Sequence, residues 1–193
     1  MSLRIGIVLG STRPGRRGAA LAAWVLSAAR EHGGADYELV DLADHALGNL
    51  DEPGNPTLAQ YIHGHTHAWS DVVSGFDGFV FVVPEYNHSF PGAIKNAIDY
   101  LYNEWNNKAA GIVSYGGWAA GVRAAEALRL VLSEVQVATV RAQPAVNTHA
   151  GFEADGYRPT AGVADLVDVM LDQLLCWAGA LATVRSDKKV DAA

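Results

Sequence analysis

The stretch Phe79-Val80-Phe81-Val82-Val83-Pro84-Glu85-Tyr86-Asn87-His88-Ser89-Phe90-Pro91-Gly92-Ala93-Ile94-Lys95-Asn96-Ala97-Ile98-Asp99-Tyr100-Leu101 decides the fold. An apolar run stops at Pro84, passes through a polar and aromatic loop, and restarts behind Pro91-Gly92 with helical spacing. Unbroken apolar runs mark parallel strands buried on both faces. Open α/β sheets bind ligands just outside the carboxyl ends of their strands. The loop from Pro84 to Pro91 therefore stands where a cofactor belongs. Two of its residues, Tyr86 and Asn87, suit one face of a flat heterocycle and its polar edge.

Strand and helix alternate on both sides of this segment. Leu3–Leu9 is the first strand, and Gly18–Arg30 is a helix stopped by Gly33-Gly34. Tyr37–Leu42 is the second strand, followed by an irregular segment Ala43–Pro56. Thr57 has the chemistry to cap a helix running to about Ser74, and Phe79–Val83 is the third strand. Gly92–Tyr102 is helical, Ala109–Ser114 is the fourth strand, Ala120–Glu134 a helix, and Val137–Arg141 the fifth strand. Gly162–Thr183 closes the chain as a long helix. Such alternation predicts an α/β protein with helices on both faces of a parallel sheet. Five strands favour a flavodoxin-like three-layer sandwich with strand order 2-1-3-4-5. One domain is expected over residues 1–185, with 186–193 a frayed tail.

Composition narrows the function. A net charge of −7 argues against a nucleic-acid binder, which needs clustered cations to neutralise phosphates. The single Cys176 rules out a disulfide framework, fits a reducing compartment, and reads as a small buried hydrophobe in an apolar helix. The run Leu3–Leu9 is broken by Gly6 and enters a basic loop, unlike a secretory leader, and no window reaches the apolar length of a membrane span. A soluble, cytoplasmic protein is expected. On a helix starting at Thr57, His63 and His67 share a face while His65 points elsewhere; no carboxylate or thiol completes a ligand set, so no metal is expected. Trp69 and Trp105 read as packing or subunit contacts. Glu104 and Arg123 read as structural, with an interface salt bridge as the sharper reading. Lys95, Asn96 and Asp99 read as helix-end, interface or solvent positions.

Three strands end in loops of unusual chemistry, all on one edge of the sheet. The first is Gly10-Ser11-Thr12-Arg13-Pro14-Gly15-Arg16-Arg17-Gly18. Glycines let backbone approach a ligand, free N–H groups at a helix start attract an anion, and Ser11, Thr12, Arg13, Arg16 and Arg17 add donors and charge. It is neither G-x-G-x-x-G nor a Walker loop. The second loop supplies Pro84, Glu85, Tyr86 and Asn87; the third supplies Ser114, Tyr115, Gly116 and Gly117. A phosphate at one end and a planar heterocycle at the other describe a mononucleotide, which in this fold points to FMN.

The chain resembles the NAD(P)H-dependent FMN reductases and their quinone-, azo- and chromate-reducing relatives. The resemblance rests on Gly10-Ser11-Thr12-Arg13, on Pro84 to Gly92 with Ile94-Lys95-Asn96-Ala97-Ile98-Asp99 behind it, and on Tyr115-Gly116-Gly117 with Gly121-Val122-Arg123-Ala124. It implies FMN with its phosphate at Ser11, Arg13 and the Arg16–Gly18 turn, and its ring against Pro84–Asn87 and Ser114–Gly117. It also implies NADPH or NADH as donor, a small-molecule electron acceptor, and a homodimer or a dimer of dimers (homotetramer) with each flavin near a subunit boundary. Hydride chemistry would belong to the flavin, with Tyr86 and Asn87 orienting the ring. Alternative readings are a flavodoxin-type electron carrier, an FMN reductase serving a separate monooxygenase, and an FMN-binding sensor.

Overall fold

Parallel pairing joins β1 (Leu3–Leu9) to β2 (Ala35–Asp41) on one side and to β3 (Gly78–Pro84) on the other; β4 (Lys108–Gly116) follows β3, and β5 (Val137–Thr139) follows β4. The expected order 2-1-3-4-5 is the observed one. The computed structural model describes residues 2–45, 47–154 and 156–191. Helix α1 (Gly18–His32) follows β1, α2 (Gly64–Ser74) precedes β3, and α3 (Gly92–Asp99) and α4 (Val122–Glu134) flank β4. β6 (Ala145–Asn147), a two-stranded hairpin of β7 (Phe152–Glu153) and β8 (Gly156–Tyr157), and α5 (Ala161–Asp191) complete the chain.

The alternation of side chains along β3 divides the interior into two cores. Phe79, Phe81 and Val83 face a cluster with Trp69 of α2, Ile94 and Ile98 of α3, and Leu128 of α4. Val80 and Val82 face Leu21 and Val25 of α1 and Met170 and Leu174 of α5. Every residue of β3 is buried, as a strand covered on both faces must be.

Several boundaries differ from the sequence reading. The fifth strand position holds two short strands rather than one running to Arg141. β5 pairs with the start of β4, and β6 pairs in parallel with Ser114–Gly116 at its end. Between them the chain bulges out, and the ladder closes around it through Val140 N–H to Ala110 O at 2.9 Å and Ser114 N–H to Pro144 O at 3.0 Å. Arg129 of α4 holds the bulge, donating to Val140 O at 2.8 Å and to Gln143 Oε1 at 3.0 Å.

Helix α2 starts at Gly64, not Thr57. Asn55 caps a short 3-10 turn, Pro56–Leu58, by accepting from the Thr57 amide, and Ala59 ends it in the left-handed region. Glu52 then accepts from the Ile62 and His63 amides at 3.0 Å each, a carboxylate at the positive end of α2. Because His63 stands outside the helix, it stacks on His65 at 5.2 Å rather than sharing a face with His67. Among the described residues, no group of histidines, cysteines and carboxylates has the geometry of a metal site.

Trp105 is 1% exposed and packs edge-on against Trp69 and Phe79, so it is a core residue and not a subunit contact. Cys176 is exposed, against the expectation of a buried thiol. Helix α5 runs past Thr183 through the start of the expected tail, of which residues 192 and 193 lie outside the described residues. Within its segment Ala161–Asp187 an 18-residue stretch has a mean hydropathy of 1.4, long and apolar enough to cross a membrane by length and composition only, which corrects the expectation that no window does. Val167, Met170, Leu171, Leu174 and Ala178 on one of its faces are buried in the second core.

Candidate functional site

The carboxyl ends of β1, β3 and β4 enclose a cleft of about 350 Å³, a size typical of small-molecule sites. Arg13 to Arg17 form one wall, Pro84-Glu85-Tyr86 another, and Tyr115-Gly116-Gly117 a third. Tyr115 and Gly116 belong to β4 itself, which runs two residues further than its apolar pattern suggested. Thr148 adds a lining position that sequence reasoning missed. It follows β6 and is fixed by donating its amide to Gly116 O at 2.8 Å. Only the unexpected pairing of β6 with β4 brings it there.

The three arginines of the first loop are not equivalent. Arg16 is ion-paired to Asp41 at the carboxyl end of the neighbouring β2, and its buried Nε lacks a partner among the described residues. Arg17 donates to Thr148 O at 2.6 Å and lies 5.7 Å over the Phe152 ring, tying the start of α1 to the segment behind β6. Arg13 is exposed at the cleft, and its guanidinium makes no hydrogen bond or ion pair among the described residues. It is the uncommitted cation of the site.

Ser11 and Gly18 lie behind the wall. Ser11 is 0% exposed, its Oγ 2.9 Å from the Tyr86 hydroxyl and 3.4 Å from the Arg13 amide that donates to it. A Cβ at Gly18 would fall 2.3 Å from the Tyr115 hydroxyl, so glycine there admits Tyr115 against the first turn of α1. Burial, chiefly, holds the Tyr115 phenol far above its usual pKa, leaving it a neutral hydroxyl. Thr12 borders a separate cavity with Leu42, Leu47 and Asn96.

Two further expected residues serve the backbone. Tyr86 and Ser89 exchange hydrogen bonds of 2.8 and 3.1 Å, closing a two-residue turn. Asn87 and His88 occupy it with φ of 50° and 68°, the left-handed conformation such a turn requires. The exposed Asn87 does not border the cleft. Ser114 is fully buried and donates to Ala120 O at 3.0 Å, bracing the turn into α4. Gly121 in that turn has φ 81°, and a Cβ there would meet the Tyr115 amide nitrogen at 2.6 Å.

Glu85 lies under the cleft with its side chain 8% exposed. Arg123 of α4 pairs with its Oε1, the Nε donating at 2.6 Å, and Oε2 has no partner among the described residues. Arg123 thus has the structural role expected of it, its salt bridge lying within the chain and not, as in the sharper reading, at an interface. Glu104 accepts from Tyr61 at 3.0 Å and from Ser70 at 2.7 Å, a structural role as expected.

The residues present fit FMN. An uncommitted arginine and a helix start suit a phosphate at one end. An aromatic ring, exposed backbone and the open side of Gly117, where a Cβ would meet nothing within 4 Å, suit a flat polar-edged ring at the other.

The family model for NADPH-dependent FMN reductases matches residues 3–151, from β1 to the segment behind β6. The chain is similar to the NAD(P)H-dependent FMN reductase C4B3.06c of Schizosaccharomyces pombe, 45% identical over 120 residues, 61% of this chain and 60% of that protein. It is similar to the NAD(P)H-dependent FMN reductase ntnL of a Nectria species, 37% identical over 138 residues, 67% of this chain and 69% of that protein. The alignments thus span about three fifths to two thirds of these relatives' lengths. Among solved structures, the flavoenzyme NAD(P)H:(acceptor) oxidoreductase FerB from Paracoccus denitrificans superimposes with a TM-score of 0.71 at 23% identity, over 92% of this chain and 98% of that one, a likeness of fold.

Proposed function

The chain belongs to the NADPH-dependent FMN reductase family, and from that premise we propose that it is an FMN-dependent NAD(P)H oxidoreductase. Its acceptors would be small molecules of the quinone, azo, metal-oxyanion or free-flavin classes. The observation that carries this reading is the cleft itself, with an uncommitted Arg13 at one end and the Tyr86 ring and glycine-lined edge of β4 at the other. Bound FMN supplies the two-electron chemistry between NADPH or NADH and the acceptor.

The protein's part is placement. Arg13 holds the phosphate with a charge-assisted hydrogen bond. Arg16, clamped by Asp41, shapes the loop, and Arg17 fixes the Thr148 wall. Pro84 and Tyr86 present a face to the ring, and Gly116 and Gly117 leave room for its edge. Glu85 is charge-compensated by Arg123, so a carboxylate sits beneath the site without an unbalanced field.

Assembly as a homodimer or dimer of dimers is part of the proposal. Trp118 is 101% exposed beside the cleft, and Val122 and Leu130 also stand out from the α4 region, a grouping suited to a subunit contact. A cytoplasmic, reducing setting suits the free thiol. Steady oxidation of NADPH or NADH by FMN-loaded protein in the presence of a quinone tests the reading. Sustained turnover is expected. Bound flavin without nucleotide oxidation would leave only a binding protein.

A further inference from the structure

We propose that the outward face of α5 pairs antiparallel with the same face of a second copy of this chain, in a contact separate from the one at Trp118. Helix α5 buries one apolar side, with Val167, Met170, Leu171, Leu174 and Ala178, in the second core. It carries a second apolar side that the fold leaves open. Leu166, Val169, Trp177 and Val184 are between 36% and 47% exposed, and Cys176 and Ala180 are exposed with them. Intervals of three and four residues put these positions on one stripe of the helix. Gln173 lies within the stripe, but its Oε1 is turned inward and accepts from the Ala142 amide at 2.9 Å. At 1.5 Å per residue, the stripe from Leu166 to Val184 is about 27 Å long. Single exposed apolar residues need no partner, whereas a continuous stripe of this length marks a contact.

The charges on α5 select the partner. From Ala161 to Val184 the helix carries Asp165, Asp168 and Asp172 and no basic residue. All three are exposed, along one flank of the stripe and only in its first half. Helices that lie on membranes carry Lys and Arg on their polar face, so this acidic flank does not suit lipid. A second copy fits. With the two helices antiparallel about a two-fold axis at the middle of the stripe, Leu166 of one copy meets Val184 of the other, and Trp177 meets Gln173. Each acidic half then lies along the uncharged stretch Gln173–Val184 of the other copy. A parallel pair would set the two runs of carboxylates side by side, and like-charge repulsion disfavours it. Two helices touching over this length bury on the order of 1,000 Å² in total, about the least that a specific interface needs. Helix α4 packs on the first core and α5 on the second, so the two contacts lie on opposite faces of the sheet. One chain can make both at once, as a dimer of dimers requires.

The test joins cross-linking to sedimentation. In a Cys176→Ser background, which leaves no other thiol, a Leu166→Cys chain and a Val184→Cys chain are mixed and oxidised with diamide. Antiparallel pairing predicts a disulfide between the two different chains and none between two alike. The bridge should also form when both chains carry Trp118→Ala, which separates this contact from the one at Trp118. In sedimentation, the Trp118→Ala protein should still associate, and adding Val169→Glu should weaken that association roughly tenfold or more, since a carboxylate in the stripe is desolvated without a partner. Absence of the mixed bridge overturns the inference. So does a bridge between two Leu166→Cys chains, which means a parallel pair, and so does an association constant that Val169→Glu leaves unchanged. Wild-type binding to phosphatidylcholine–phosphatidylserine vesicles that Val169→Glu abolishes, with no change in mass, would give the face to a lipid surface and overturn it too. Should Val169→Glu not fold, the cross-linking pattern decides.

Discussion

Arg13 earns its place in the site by having nothing else to do. Arg16 and Arg17 are engaged by Asp41 and by the Thr148 carbonyl, so the proposed function assigns the phosphate charge to Arg13. Arg13→Ala should cost a charge-assisted hydrogen bond, about 1.5–3 kcal/mol, or roughly tenfold or more in FMN affinity. Riboflavin binding should be unaffected, and calorimetric titration with both flavins checks this. Asn87 offers a contrasting case. Its φ of 50° is tolerated by asparagine and glycine and disfavoured for other residues. Asn87→Gly should leave stability near wild type, whereas Asn87→Ala should lose about 1 kcal/mol in urea unfolding. If Asn87→Gly unfolds normally yet slows flavin reduction, the side chain acts on the ligand and not only on the turn. The sequence makes the basic loop and the aromatic loop legible as walls of one cleft. It does not show which arginine is free, because Asp41 meets Arg16 only once β1 and β2 pair.

At the scale of elements, the strands at the centre of the sheet are legible because burial on both faces demands apolar runs, as in Phe79–Val83. The edge is not. Ala145–Asn147 has no apolar run and becomes a strand only by pairing with the end of β4. The start of α2 is set by Glu52, a tertiary partner that local capping chemistry at Thr57 cannot reveal. The amino end of β4 carries Lys108, buried and donating to Val73 O at 2.7 Å in the last turn of α2. Burial pushes its ammonium pKa down from 10.5 to about 7. Between those values the unfolded chain binds a proton that the native state does not. Stability should therefore rise with pH across that window, by up to ~1.4 kcal/mol per pH unit from this group. Below pH 7 both states are protonated and the penalty is constant. Denaturant unfolding at pH 7 and pH 9 should show the rise in wild type and a smaller one in Lys108→Met. Equal slopes would mean that the ammonium is not held down by its surroundings.

For the molecule as a whole, an acidic chain gathers three arginines at one edge of its sheet, and that edge gives the fold its use. The same edge carries the exposed Trp118 on the approach to α4. Light scattering at micromolar concentration should report a dimer or tetramer, and Trp118→Ala should shift it toward monomer. A wild-type monomer that still reduces quinone would show that the cleft is complete within one chain. The sequence motifs identify the cofactor class more readily than the assembly, since Trp105 looks as available as Trp118 until packing buries it. The central claim, that this cleft holds FMN for hydride transfer from a nicotinamide nucleotide to a small acceptor, is tested most directly by anaerobic stopped-flow spectroscopy of the FMN-loaded protein. Mixing with excess NADPH or NADH should bleach the visible flavin absorbance completely, and adding benzoquinone should restore it. Bound flavin that stays oxidised with both nucleotides would contradict the account.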